Sequence, residues 1–314
     1  MRNILKACVL VLVSTGVSLT AQTAPVFQRP PAPGQFVDIG GGRRLHIFCK
    51  GTGEGPTVVI EAGLSQYTAT STYGKAQDAI APFARVCVYD RAGLGWSDPA
   101  PADRTHVDMV SDLHKLLIAA KIPAPYVMVG HSMGGLLVRQ YAQMYRSEVV
   151  GVVLADATSE SNLFDDEGAR FRAGVVTQIA QGLAKAKPGV PVVPLPDGTS
   201  PDIVMSFMPE VLAAVKDEYL AIDRTPAEMR APLGYGTLGA LPLVVIRRGK
   251  TATPPSASDT AWQADQERLT RLSTNGSLVV AENAGHVIPY DAPGLVADAV
   301  RRVLAACRMN ERVK

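Results

Sequence analysis

The sequence predicts an α/β protein in which helices cover both faces of a mostly parallel β-sheet. Short apolar runs alternate with amphipathic helical segments along most of the chain. The alternation stops over residues 158–238, where helix-like pieces are broken by several prolines, and then resumes. Strands separated by helices favour parallel pairing through right-handed crossovers. The interruption therefore predicts a helical insertion carried above the sheet.

Length and composition fit one large domain. The chain has 314 residues, 47% of them hydrophobic, which is enough for an extensive core. Charged residues make up 19% and the net charge is only +2. Because no basic block stands out, nucleic acid is not an expected partner.

Residues 1–24 have the pattern of a secretory signal peptide. Two basic residues precede an apolar run over 7–13, and small residues follow up to the candidate cleavage sites after Ala21 and Ala24. The run is short for a membrane span, although an uncleaved anchor is the alternative. We therefore expect a secreted or periplasmic protein with no stable membrane anchor after cleavage.

The predicted elements follow in order. Residues 25–35 are proline-rich and predict a linker, and the core is expected over 36–157 and 239–314. Two β-prone runs around a glycine turn predict a hairpin over 36–50. A helix is expected after Thr105, with Asp108 completing a capping box. The remaining expected strands are 57–60, 85–89, 126–129, 149–155, 243–246 and 277–281, and the remaining core helices are 136–145, 260–272 and 293–306.

Ser132 is the candidate nucleophile. Gly130-His-Ser-Met-Gly134 follows an apolar strand and opens a helix, which is the setting in which the Gly-x-Ser-x-Gly pattern predicts a catalytic serine. A tight turn there would expose the hydroxyl, and glycines would avoid collisions on either side. The alternatives are a structural glycine turn and a phosphate loop, but the lysine of a phosphate loop is absent.

His286 is the candidate general base. It follows the last predicted strand, and loops at the carboxyl ends of parallel strands lie where ligands bind. The other four histidines are expected on the hairpin, on a helix before the nucleophile strand, or beside Ser132 and directed away from its hydroxyl; they are His46, His106, His114 and His131.

The acid partner of His286 has more than one candidate. Asp156 follows its strand immediately, whereas Asp259 and Asp265 lie well beyond the end of the next strand. Asp259 can also cap a helix, which gives it a structural role. Asp156 is therefore favoured, although a structural role as a cap or ion-pair partner is open to it as well.

Two backbone amides are candidates for an oxyanion hole. Leu64 follows Glu61-Ala-Gly63 at a strand end, and Met133 follows the serine; a plain glycine turn is the alternative. Arg91 could pair with Glu61, although both charges could equally be solvated.

Four segments resemble the α/β-hydrolase superfamily in its esterase and lipase-like branch. They are residues 57–63, 86–97, 129–135 and 284–286, in the family's order, and the similarity spans about residues 36–306. The resemblance implies an eight-stranded, mostly parallel sheet with a helical cap after the sixth strand. It also implies a nucleophile at Ser132 and a histidine at His286.

Two departures from the family pattern matter. Many members have His-Gly where this chain has Glu61-Ala62-Gly63, and many place the acid after the seventh strand rather than the sixth. The identity of the residue that serves as the acid partner of His286 therefore stays open between Asp156 and Asp259.

Cys49 and Cys87 lie in two strand-like runs. A disulfide is possible if those strands are neighbours, and two buried free thiols are the alternative. The resemblance implies that the strands are adjacent, which favours the disulfide, while Cys307 is expected to be unpaired.

These features predict an exported serine hydrolase that cleaves a carboxylic ester, or a related acyl bond, of a small molecule. No metal or organic cofactor is implied. An acyltransferase, a peptidase or a lactonase could use the same fold, and a non-catalytic ligand-binding protein is the alternative outside enzymes.

Overall fold

The computed structural model describes residues 27–53, 55–67, 72–231, 233–309 and 311–313. The predicted signal peptide lies outside the described residues.

Eight strands form one sheet in the order β1-β2-β4-β3-β5-β6-β7-β8. The pairs β1/β2 and β2/β4 are antiparallel, and the other five are parallel. The expected eight-stranded, mostly parallel sheet is confirmed. The strands are β1 Gln35–Asp38, β2 Arg44–Lys50, β3 Thr57–Glu61, β4 Val86–Tyr89, β5 Tyr126–His131, β6 Val149–Ala155, β7 Leu243–Arg248 and β8 Gly276–Ala281.

Helices cover both faces of the sheet. Those of the core are α1 Gly74–Ile80, α2 His106–Ala119, α3 Gly134–Met144, α9 Ala257–Thr270, α10 Ile288–Asp291 and α11 Pro293–Met309, with a 3-10 turn at Arg146–Glu148. Side chains of α2 and α3 pack into one apolar cluster against the sheet. Side chains of α1 and α11 pack into a second cluster. The strands are consequently buried on both sides, as continuous apolar runs in a parallel sheet require.

The segment between β6 and β7 is helical. It contains α4 Glu160–Leu163, α5 Asp166–Leu183, α6 Pro201–Ser206, α7 Pro209–Asp223 and α8 Ala227–Arg230. We refer to residues 158–238 as the insertion. An apolar cluster joins it to the core, combining Leu94 and Trp96 of the core with Met205, Val211 and Tyr219 of α6 and α7.

The stretch before β1 makes defined contacts with both parts of the molecule. The Phe27 amide donates to the Gly189 carbonyl of the insertion at 3.0 Å. The Arg29 guanidinium donates to the Gly95 carbonyl at 2.9 Å and pairs with Glu210 of α7 at 3.2 Å. The described part of the predicted linker therefore lies against the core and α7.

Local sequence signals account for several element ends. Thr105 and Asp108 form the expected capping box at the start of α2. The glycine turn at residues 40–42 has positive φ throughout and connects the antiparallel β1 and β2. The sequence did not predict the two short core helices α1 and α10, because seven and four residues carry too little periodicity.

Cys49 and Cys87 form a disulfide between directly paired residues of β2 and β4, with 4.0 Å between their Cα atoms. Cys307 is free and its thiol donates to the Val150 carbonyl. Across the described residues, no helix combines the length and apolar character needed to span a membrane.

Candidate active site

Ser132 lies on the tight turn between β5 and α3. Its φ of +52° is a left-handed value that a non-glycine residue rarely adopts. Three backbone hydrogen bonds hold it there. The Ser132 amide donates to the Ala155 carbonyl, and the Ser132 carbonyl accepts from the amides of Gly135 and Thr158. Neighbouring elements therefore maintain a conformation that is unfavourable by itself.

The glycines around Ser132 have a steric cause. A Cβ on Gly130 would lie 2.6 Å from the Gly134 carbonyl oxygen. A Cβ on Gly63 would lie 3.0 Å from Nδ1 of His131 and 3.2 Å from Cβ of Ser132. The turn and the end of β3 can approach each other this closely only without side chains at those positions.

His286 is placed beside the serine by the loop after β8. Its Nε2 lies 3.1 Å from Ser132 Oγ, and its Nδ1 lies 2.7 Å from Asp156 Oδ2. An ionised carboxylate only accepts hydrogen bonds, so Nδ1 carries the proton and Nε2 can accept the serine proton. The imidazole is 23% exposed, which leaves it accessible from one side.

Asp156 is completely buried at the end of β6, with a φ of +44°. Oδ2 also accepts from Arg248 Nη1 at 2.7 Å, while Oδ1 accepts from Trp262 Nε1 at 2.9 Å and the Arg248 amide at 3.1 Å. Burial would raise the pKa of Asp156, but His286 and Arg248 outweigh it and lower the pKa to about 2. The carboxylate is therefore ionised beside the imidazole.

The other two acid candidates have different surroundings. Asp259 forms a capping box with Ser256 at the start of α9 and lies 3.4 Å from Arg248. Asp265 Oδ2 accepts from the hydroxyls of Ser159 and Ser161. The structure thus brings Asp156, and neither of these, into contact with His286.

The two predicted oxyanion donors belong to the two turns that meet at Ser132. Met133 precedes the first residue of α3, and Leu64 lies in the turn after β3, next to Gly63. No described residue accepts a hydrogen bond from the amide of either one. Two free N–H groups near a nucleophile can stabilise an oxyanion.

A buried ion network lies under this turn. Arg91 pairs with Glu61 at 2.7 Å, as the sequence suggested, and with Glu218 of α7 at 2.6 Å. The Tyr89 hydroxyl donates to Glu61. Burial raises the pKa of Glu61 despite the charge of Arg91. For Glu218 burial acts in the same direction, but the charge of Arg91 outweighs it and lowers the pKa.

His131 connects the serine's surroundings to the histidine loop. Its Nε2 lies 2.8 Å from the His286 carbonyl, and its Nδ1 lies 2.8 Å from the Tyr73 hydroxyl, which also accepts from the Gly63 amide. Burial, with the nearby His286, lowers the pKa of His131 to about 3. The ring is therefore neutral, so Nε2–H donates to the carbonyl and Nδ1 accepts from Tyr73.

The described residues contain no group of three or more histidine, cysteine or acidic side chains arranged to hold a metal ion.

A family model described as the alpha/beta hydrolase family matches residues 67–299. The chain belongs to this family. The match covers most of the sheet, the insertion and the loops that carry Ser132, Asp156 and His286.

Curated relatives of this α/β hydrolase match it over very different shares of their own length. It is 26% identical to the uncharacterized protein YqjL of Bacillus subtilis over 273 residues, covering 85% of this chain and 91% of that protein. It spans only 30% and 15% of the length of two other curated relatives that it matches.

Solved esterases share the fold. A thermophilic esterase from Thermogutta terrifontis superposes with a TM-score of 0.61 at 19% identity, covering 88% of this chain and 99% of the esterase. An esterase from Exiguobacterium antarcticum superposes with a TM-score of 0.60 at 16% identity, covering 87% of this chain and 99% of that esterase.

Sequence reasoning missed four contributors to this α/β-hydrolase site. Arg248 and Trp262 both bind the Asp156 carboxylate, Tyr73 binds the turn after β3, and Glu218 reaches that turn from the insertion. The sequence could have indicated Arg248, because it ends a buried strand at the same edge of the sheet as Asp156. The other three lie on helices or in loops whose packing no local pattern indicates.

Proposed function

We propose that this chain is an exported serine hydrolase that cleaves a carboxylic ester or a related acyl bond through an acyl-enzyme on Ser132. The observation that carries the proposal is the continuous hydrogen-bonded chain from the Ser132 hydroxyl through His286 to Asp156. That arrangement is the one by which a serine hydroxyl becomes a nucleophile near neutral pH.

The first half of the reaction forms the acyl-enzyme. His286 Nε2 accepts the Ser132 proton as Oγ attacks the carbonyl carbon of the substrate. Asp156 stabilises the imidazolium that results, and the amides of Leu64 and Met133 donate to the new oxyanion. The imidazolium then gives its proton to the leaving alcohol as the bond to it breaks, leaving the acyl group on Oγ.

The second half releases the acid. His286 removes a proton from water, and the hydroxide that forms attacks the acyl carbon through a second oxyanion. When this intermediate collapses, Ser132 regains its proton from His286 and the carboxylic acid leaves. If an alcohol replaced water, the same steps would transfer the acyl group.

Export is part of the proposal. The charge and hydropathy pattern of residues 1–24 supports it, and so does the disulfide between Cys49 and Cys87, since disulfides persist in oxidising compartments.

The test is hydrolysis of p-nitrophenyl esters of increasing acyl length, combined with labelling by a fluorophosphonate probe. Wild type should turn over at least one ester and become labelled. Ser132→Ala should lose labelling and about 10⁶-fold in kcat. Ser258→Ala, at an exposed serine of α9, is the matched control and should behave as wild type.

The outcomes separate the candidate functions. Ester formation that dominates in added methanol would indicate an acyltransferase. A wild type that neither labels nor turns over any ester, while remaining folded, would leave only a binding role and end the proposal.

A further inference from the structure

The turn that carries Leu64 is fixed by side chains from outside it. Arg91 Nη1 donates to the Ala62 carbonyl at 2.8 Å, and Nη2 donates to the Gly63 carbonyl at 2.7 Å. The Gly63 amide donates to the Tyr73 hydroxyl at 2.7 Å. The peptide groups on the N-terminal side of Leu64 are therefore held by two buried side chains.

The C-terminal side of the same turn is held by the insertion. Glu218 Oε2 accepts from the Ser65 amide at 2.9 Å, and Ser65 has a φ of +62°, a strained value for a side chain of this type. Glu218 lies in the middle of α7. The amide directly after Leu64 consequently depends on a carboxylate that the core does not supply.

Glu218 and Arg91 form one unit. Arg91 Nε and Nη2 donate to the two Glu218 oxygens at 2.6 and 3.1 Å, and both side chains are almost wholly buried. Arg104 adds a second positive group 3.6 Å from Glu218. Separating such a pair would leave charges buried without partners, which is strongly unfavourable. Displacing α7 would therefore remove one of the two carboxylates that hold Arg91, together with the acceptor of the Ser65 amide.

We infer that Glu218 and Arg91 are positioning residues for the Leu64 amide, so that the oxyanion hole is complete only while α7 of the insertion is docked on the core. The inference rests on the proposed function. It gives the insertion a part in catalysis, because two of the groups that orient the hole belong to one ion pair across the boundary between insertion and core.

The variant Glu218→Gln tests this inference. It keeps an oxygen that can accept from Ser65 but removes the charge of one of the two carboxylates that hold Arg91. A hole that is misaligned only at the oxyanion should reduce kcat by about 10²-fold while KM changes little. The affinity of a trifluoromethyl ketone, which forms a tetrahedral adduct on the serine, should fall in parallel with kcat/KM.

Glu210→Gln is the matched control on the same helix. Glu210 is exposed and pairs with Arg29, so its loss should leave kcat and ketone affinity unchanged. If Glu218→Gln does not fold, Glu218→Asp retains the charge but draws the carboxylate away from Ser65. A smaller loss of kcat, again with parallel loss of ketone affinity, is then expected.

Three results would overturn the inference. One is a folded Glu218 variant with unchanged kcat and ketone affinity, and another is a rise in KM alone. The third is a wild type without serine-dependent turnover, which would remove the proposed function as well. An active wild type whose Glu218 variants resemble Glu210→Gln would remove this inference and leave the proposed function standing.

Discussion

Asp156 shows how a single residue's environment decides its role. One carboxylate oxygen of Asp156 accepts hydrogen bonds from His286 and Arg248, and the other accepts one from Trp262. These partners fix the carboxylate on three sides, so that its orientation toward the imidazole does not depend on solvent.

Replacing the carboxylate should therefore remove most of the activity. We expect Asp156→Asn to lower kcat by about 10³- to 10⁴-fold, because an amide neither fixes the productive tautomer nor stabilises the imidazolium. Asp259→Asn is the control and should keep kcat/KM close to the wild-type value. Steady-state ester hydrolysis measures both, and a larger loss in Asp259→Asn would contradict the assignment.

The same carboxylate should make stability depend on acid pH. Its pKa is about 2, below the usual 3.8, so its contribution is fully present above about pH 4 and is lost as the pH falls toward 2. The shift corresponds to about 2 kcal/mol. Urea unfolding should show wild type more stable than Asp156→Asn at pH 7, with the gap narrowing between pH 4 and 2. A gap that stays constant with pH would speak against this.

For single residues, the sequence pointed to Ser132 and His286, because a strand-to-helix pentapeptide and a loop after the last strand each single out one residue. It could only favour Asp156, since carboxylates follow both β6 and β7. The sequence could not predict the contacts of Glu218, because Glu218 lies 127 positions after Arg91 and no local pattern indicates that the two side chains meet.

Among elements, α2 is the clearest case of local sequence deciding local structure. Thr105 accepts from the Asp108 amide, and the Asp108 side chain accepts from the Thr105 amide. The cap satisfies amides that the first turn leaves without helical partners.

Thr105→Ala should consequently cost about 1 kcal/mol of unfolding free energy with little change in activity. The control is Thr177→Ala in α5, whose hydroxyl bonds the Ala173 carbonyl inside the helix and caps nothing. Urea titrations followed by circular dichroism would compare them. Equal effects of the two substitutions would show that the cap is not the source of the stability.

Element boundaries were predicted least well. The sequence placed the start of α9 at residue 260, whereas its capping box begins the helix at Ala257. Helix α3 begins at Gly134 rather than at 136, because the amphipathic pattern becomes visible only after the glycines that permit close packing.

For the whole molecule, the disulfide links β2, which runs antiparallel to its neighbours, to the parallel part of the sheet. It closes a loop with a sequence separation of 38 and so restricts the unfolded chain. The alternation of strands with helices predicted parallel pairing but not the strand order, and the adjacency of β2 and β4 came only from resemblance to a family.

The double variant Cys49→Ser with Cys87→Ser should lose about 3 to 4 kcal/mol of unfolding free energy. Cys307→Ser, which breaks no covalent link, should lose much less. Thermal unfolding with and without a reducing agent would measure both. The reducing agent should lower the unfolding temperature of wild type and leave that of the double variant unchanged.

The insertion divides the core, and the proposed nucleophile Ser132 and its proposed base His286 come from opposite sides of that division, 154 residues apart. During translation the serine and the acid emerge long before the histidine. A nascent or C-terminally truncated chain would thus hold a nucleophile without a base. By the proposed mechanism, such a chain could not attack acyl groups until His286 has been added and has folded into place.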